Sequence, residues 1–341
     1  MDIIMMGNVR MKDIASALNI STVTVSKALS DKEGVSIELR EKIKETAEAM
    51  GYRYNRLAKG MKEGKSYNIG VLIAERYTIN DGDAFYLKIY QNIVKILSNR
   101  NYYGIMELVT AEDENNGTIP NVILDNKVDG IIVLGQMKSK YLENIYKTKV
   151  PLVFLDFYEE MMDVDSIISD SFYGAFTITN YLINKGHKDI GFVGNIYVTN
   201  SILDRYLGYQ KALIINKIPL RDQWIISDRG EDGKYIDLVL PKGMPTAFVC
   251  NCDSVAYILI NKLKKEGYKV PKDISVVGYD NDIFATLSTP KLTTIEVDTQ
   301  TMAETAIASL MQKVQGEHRY LGRKVIGGNL IVRESVKEIL I

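Results

Sequence analysis

The chain is poor in the residues that staple folds, ligate metals or move protons. Its 341 residues include only two cysteines and two histidines. Two cysteines cannot build the disulfide framework of a small secreted domain, and Cys250 and Cys252 are read as reduced thiols. His187 and His318 leave little for acid–base or metal chemistry, and HExxH, CxxC and phosphate-loop patterns are missing. No catalytic residue, cofactor or metal is therefore expected. No apolar run approaches the ~18 residues that span a bilayer. The start Met1-Asp2-Ile3-Ile4-Met5-Met6 lacks the basic-then-apolar layout of an export signal, so a cytoplasmic protein with no membrane partner is expected.

A chain this long exceeds one ordinary core, so two or three domains are expected. Charge is nearly balanced overall but not evenly spread. Residues 1–66 hold 12 Lys and Arg against 9 Asp and Glu, and the remainder holds 30 against 34. The positive end has the sign of a small module that meets phosphates.

That end carries two short helical patterns meeting at a corner. Ile14, Ala15 and Leu18 recur at helical spacing, Asn19 can take the left-handed conformation that stops a helix, and Ser21 can cap the next one. Ile20 can staple onto Val25, while Val25, Ala28 and Leu29 face back. Leu39, Ile43, Ala47 and Met50 write a third helix between a Ser36 cap and a Gly51 stop. With the apolar side inward, Thr22, Val23, Ser26 and Lys27 sit where base edges would be met. Hydroxyls pair with several bases, a valine touches a thymine methyl, and a lysine donates to guanine or phosphate. The same corner also occurs in enzymes, as a helical hairpin packed on something else.

After the head, Asn55 to Ser66 is basic and punctuated by Gly60 and Gly64, a linker that is helical only conditionally. From Asn68 onward, short β-branched runs alternate with helical patterns, which predicts βαβ units and parallel sheets. Strands are predicted at Asn68–Ile73, Tyr103–Leu108, Gly130–Leu134, Leu152–Leu155, Asp189–Val193, Ala247–Cys250 and Ile274–Tyr279. Helices are predicted near Phe85–Arg100, Phe172–Lys185, Ile202–Ile215 and Asp253–Lys265. Ligands bind such sheets beyond the strand carboxyl ends, which draws attention to Asp156, Asn251–Asp253 and Asp280. Each acid can equally be a helix cap or a loop ion-pair partner.

The order of head, basic linker and two-lobed α/β body resembles the LacI/GalR family of bacterial transcription regulators. The resemblance rests on Asp13-Ile14-Ala15 with Ser21 through Ser26, Gly51-Tyr52-Arg53-Tyr54-Asn55, Val128-Asp129-Gly130-Ile131-Ile132 and Gly186-His187-Lys188-Asp189-Ile190-Gly191. Further on it rests on Arg205 with Gly208-Tyr209, on Asp273 through Asp280, and on Leu292-Thr293-Thr294-Ile295. It implies a helix-turn-helix head over 1–54, a hinge helix over 55–66 and a periplasmic-binding-protein-like body over 67–341 with two parallel sheets. Within that body, lobe one would take 67–165 and 297–325, and lobe two 166–296 and 326–341.

By the same resemblance, a homodimer grips palindromic double-stranded operator DNA and a small molecule between the lobes controls the grip. Ser21, Thr22, Val23, Thr24, Ser26, Lys27 and Asn55 would face DNA, and Met61 falls where the family wedges an apolar side chain into the minor groove. Tyr54 stands where many members carry proline. The effector set would be Phe85, Tyr86, Gln136, Asp156, Ser201, Arg205, Cys252, Asp253 and Asp280. Arg205 matches the effector arginine and the two aromatics match the cleft mouth. Cys252 stands where an amide is usual, and Leu134 where some sugar binders carry a polar group, with Gln136 close enough to compensate. A sugar or sugar derivative is the expected effector. A phosphorylated carrier protein as the signal, or a solute-binding protein or enzyme of the same body fold, are the alternatives.

Overall fold

A computed structural model describes residues 9–52, 63–78, 84–317 and 319–339. The chain divides into two compact units, Met1–Ser66 and Tyr67–Ile341.

The first unit is built from α1 (Met11–Leu18), α2 (Thr22–Leu29) and α3 (Ile37–Ala49). Asn19 ends α1 at φ 53°, and Ser21 Oγ accepts from the Thr24 N–H at 3.0 Å to start α2. Ser36 does the same for α3, accepting from the Leu39 N–H at 3.3 Å. These caps satisfy orphan helix-end groups and so set where each helix turns. Ile14, Ala15, Val25, Ala28, Ile43 and Ala47 form the core, with Ile20 packed against it as the staple requires. Of the linker expected to form a hinge helix, residues 53–62 lie outside the described residues, and with them Asn55 and Met61.

In the second unit the order is β1 (Asn68–Ala74), α4 (Ala84–Asn99), β2 (Tyr103–Val109), α5 (Ala111–Asn116), α6 (Asn121–Leu124), β3 (Gly130–Leu134), α7 (Ser139–Lys147), β4 (Leu152–Leu155) and β5 (Ser166–Ser169). Next come α8 (Ser171–Asn184), β6 (Ile190–Val193), α9 (Asn200–Ile215), β7 (Ile225–Ile226), β8 (Ala247–Cys250), α10 (Asp253–Lys265) and β9 (Ser275–Val277). The chain closes with α11 (Ile283–Leu287), β10 (Thr294–Val297), α12 (Thr299–Val314), β11 (Arg323–Ile326) and β12 (Gly328–Ile331).

The first lobe is a parallel sheet in the order β11-β5-β4-β3-β1-β2, and the second a parallel sheet in the order β7-β6-β8-β9. Alternating side chains of β8 show why both faces are covered. Ala247 and Val249 join Ile178 and Leu182 of α8, whereas Phe248 and Cys250 join Val255 and Leu259 of α10. A strand buried on both sides reads as a continuous apolar run, the pattern seen in the sequence. At Gly208 of α9 an added Cβ would overlap the Phe172 carbonyl oxygen, so the close approach of α8 and α9 requires glycine there.

Two of the differences from the sequence expectation bear on how the lobes are built. Ser166–Ser169, assigned to lobe two, is hydrogen-bonded into the first sheet, because it pairs with β4 on one side and β11 on the other. Residues 299–314, given to lobe one with no element predicted there, form a full helix packed on α4 and on the first sheet. The chain thus passes between the lobes after β5, after β10 and after β11, and β10 and β12 pair antiparallel alongside α8.

Candidate functional site

On the head, Thr22, Val23 and Lys27 are exposed on α2, Val23 to 63%. A valine left this exposed while Val25 is fully buried marks the outer face of the helix. Ser21, also exposed, and the half-buried Thr24 are tied to each other, hydroxyl to hydroxyl, at 2.9 Å. Their polar groups are largely spent on the cap, and Ser26 is half-buried on the same helix.

In the body, a cleft of about 550 Å³, open to solvent on one side, lies beyond the strand ends of both lobes. Its walls hold Phe85, Tyr86, Asp156, Ser201, Arg205, Cys252 and Asp280, all read from the sequence. Asn251, singled out by its place after the Ala247 strand, lines it too, whereas Tyr77, Thr199, Ile202, Arg229, Tyr235, Ser254 and Asp282 were not foreseen.

Arg205 rises from α9 and is 5% exposed. Nε donates to Ser171 Oγ at 3.3 Å, Nη1 to the Asn251 carbonyl, and Nη2 to Asp280 Oδ1 at 3.2 Å. The Tyr279 ring lies 3.9 Å under the guanidinium, so the fork is fixed before any ligand arrives. Asp156 and Asp280 follow β4 and β9 on left-handed backbone, at φ 68° and 107°. Each extends its strand's ladder, with its N–H donating at 2.8 Å to Ile167 and Ile295 respectively. Non-glycine residues at such angles are strained, and strain of that kind concentrates at functional sites.

Arg229 forms a second fixed guanidinium. Its Nε donates to Asp228 Oδ2 at 2.8 Å, and Tyr235 lies 4.7 Å under its plane. Asp228, 1% exposed, is itself held by the Asn195 N–H at 2.8 Å and by Asn251 Nδ2 at 2.9 Å. Asn251 thus touches both arginines, through its carbonyl to Arg205 and, at 3.4 Å, through Oδ1 to Arg229. Across the cleft, Tyr86 donates to Asp156 Oδ2 at 3.0 Å, and the Tyr77 and Phe85 rings pack on Tyr86 at 4.8 and 5.4 Å.

Burial governs the protonation of these groups. It pushes Asp156 up to about 6, against the pull of Arg205 and the Tyr86 hydroxyl. Asp282 likewise rises to about 6 through burial, against the Phe284 and Ala285 N–H groups. Asp280 is raised by burial, with Arg205 pulling it back and Asp282 and Asp156 pushing it further. The Cys252 thiol is pushed up to about 11 by burial and stays neutral. Folding therefore favours protonated Asp156. Its carboxyl has no effect below the ordinary value of about 4, and it lowers stability by about 2 to 3 kcal/mol as pH climbs to about 6. Asp156→Asn, which keeps an oxygen for Tyr86, is expected to gain stability over the parent protein across that window. Urea midpoints between pH 4 and pH 7 measure it, and a difference independent of pH would refute the assignment.

Two residues of the sequence-derived effector set do not line the cleft. Asp253 is fully buried, accepting from Thr294 Oγ1 at 2.7 Å and from the Asp282 N–H at 3.0 Å. Gln136 is occupied by bonds to Arg76, Tyr77 and Asn200. His187 is fully buried and bonded to Thr246 Oγ1 at 2.9 Å and the Lys337 carbonyl at 3.2 Å, a structural role. Among the described residues no cluster of acidic, histidine or cysteine side chains could hold a metal, and no helix is long and apolar enough to cross a membrane.

Comparison with known proteins agrees with this anatomy. Residues 10–55 match the bacterial regulatory proteins of the lacI family, and residues 179–336 a periplasmic binding protein-like domain. The HTH-type transcriptional repressor PurR of Vibrio parahaemolyticus is 25% identical over 334 residues, 96% of this chain and 98% of that one. The lac repressor dimer bound to operator and the anti-inducer ONPF superposes with a TM-score of 0.78 at 22% identity, covering 97% of this chain and 100% of that one. The transcriptional regulator CelR in complex with cellobiose gives 0.69 at 22% identity, covering 96% and 100%. A helix-turn-helix head followed by an effector-binding body of this fold defines a transcription regulator and not an enzyme. The chain thus joins a head of the lacI family to a periplasmic-binding-protein-like body, the build of its repressor relatives.

Proposed function

We propose that the protein is a cytoplasmic, homodimeric repressor whose heads bind the two halves of a palindromic operator, and whose cleft takes a small neutral carbohydrate. Effector occupancy changes the arrangement of the lobes and thereby operator affinity, a coupling typically worth 1 to 3 kcal/mol. The domain limits are those of the sequence reading, with Ser166–Ser169 moved to lobe one.

The observation that carries the carbohydrate assignment is the pairing inside the cleft. With Asp156, Asp280 and Asp282 in its walls and Asp228 bonded to Arg229, the cleft sets four carboxyl groups against two arginines, which leaves no surplus positive charge for an anionic ligand. What remains is a set of preoriented donors and acceptors facing aromatic rings. Sugar hydroxyls both donate and accept, and the apolar C–H face of a sugar packs on rings such as Phe85 and Tyr86. The related fold of CelR was solved with cellobiose, and that of the lac repressor as a dimer on operator. Thr22, Val23 and Lys27 would read bases, while Ser21, Thr24 and Ser26 would support the docked helix.

Calorimetry of the whole protein against neutral mono- and disaccharides, their phosphate esters and free nucleobases tests this reading. Saturable binding of a neutral sugar, and not of its phosphate ester, is expected. Binding of a phosphate ester or a nucleobase alone would replace it.

A further inference from the structure

The bonds around Gln136 run between the lobes. Its backbone carbonyl accepts from Arg76 Nη2 at 2.6 Å and from the Tyr77 hydroxyl at 3.0 Å. Arg76 is paired in turn with Glu114, a carboxylate 2% exposed whose Oε2 also accepts from the Lys138 N–H at 2.8 Å. The turn after β3 is therefore pinned to the first lobe at the Gln136 carbonyl and at the Lys138 N–H.

The side chain leaves that lobe altogether. Gln136 Oε1 accepts from the backbone N–H of Asn200 at 2.8 Å, and Asn200 is the first residue of α9 in the second lobe. Helix starts leave their first N–H groups without an intrahelical partner. Thr199 satisfies the Ile202 N–H at 3.2 Å from within the second lobe, whereas the Asn200 N–H is satisfied from the first lobe. The Asn200 side chain repeats the crossing, its Nδ2 donating to the Tyr158 carbonyl at 3.3 Å. The helix held in this way carries Ser201 and Arg205, one turn further on, into the cleft.

We infer that Gln136 is a positioning residue: a helix cap supplied across the cleft, which holds the lobes at the separation seen here and fixes α9 with Arg205 in register. An opened cleft exposes the Asn200 N–H to water, so the bond contributes only where the lobes are together. A side-chain oxygen on a helix-start N–H biases such an equilibrium about five-fold. This role does not depend on what the cleft binds.

Spin labels at Lys95→Cys on α4 and Lys264→Cys on α10 report lobe separation, since both positions are exposed and both native thiols are buried. Distance distributions are recorded on the full chain without ligand, well below the melting transition. Gln136→Ala is expected to raise the ratio of long to short separations about five-fold over the parent. Gln136→Glu, which keeps an acceptor and adds a charge that favours a helix N-terminus, is expected to return it to the parent value or below. A parent-like distribution for Gln136→Ala, or the same shift for both variants, overturns the inference.

Discussion

Arg205→Ala abolishes the response to ligand and leaves operator binding by the ligand-free protein unchanged. The guanidinium has five N–H groups, and bonds to Ser171, Asn251 and Asp280 engage three of them. The remaining two are charged donors for an incoming hydroxyl pair, each worth about 1.5 to 3 kcal/mol, so ligand affinity is expected to fall at least about 100-fold. The body also loses some stability, because Asp280 loses its cation and the Ser171 hydroxyl and Asn251 carbonyl lose their donor. Arg205→Lys restores a charge near Asp280 but cannot fork to Ser171 and Asn251 at once. It is expected to recover most of the stability and little of the affinity. Calorimetry and gel shifts with and without ligand separate these effects, and normal ligand affinity in Arg205→Ala would remove the residue from the site.

Arg205 could be picked out only through the family resemblance, whereas the strands are legible because both-sided burial writes continuous apolar runs. The head was legible for a similar reason: Asn19 and Ser21 announce a helix stop and a helix cap through local chemistry alone. Asp253 and Asp280 show where that legibility ends. Both follow a strand of the second sheet and both are acids, yet one turns into the core toward Thr294 and the other into the cleft toward Arg205. Only the packing of β10 beside the β9 strand end decides between them. Gln136 reads from the sequence as an effector contact, whereas its side-chain oxygen accepts from a backbone N–H of the other lobe, a pairing that only the folded arrangement of the lobes creates. Arg229 and Tyr235 come from an irregular stretch with no periodic pattern to flag them. α12 was missed because small residues, Ala303 and Ala306, make up much of its buried stripe.

Val25→Asp is the sharpest test of the head. The three helices are held by six buried residues, and Val25 lies among them with no exposed surface. An isolated carboxylate there costs several kcal/mol, and a module this small has little stability in reserve. Operator binding is expected to disappear, with only weak, salt-sensitive attraction left from the lysines and arginines. The body forms a separate compact unit with its own cores, so its melting transition and ligand affinity should stay at the parent values. Val23→Ser on the same helix provides the contrast. That side chain is 63% exposed, so the head stays folded, and loss of a methyl contact should weaken operator binding only about ten-fold or less while altering which base is preferred. Gel shifts on selected and scrambled duplexes, paired with calorimetric melting, distinguish the two. If Val25→Asp bound a specific duplex as the parent does, the helix-turn-helix would not be the part of the chain that meets DNA.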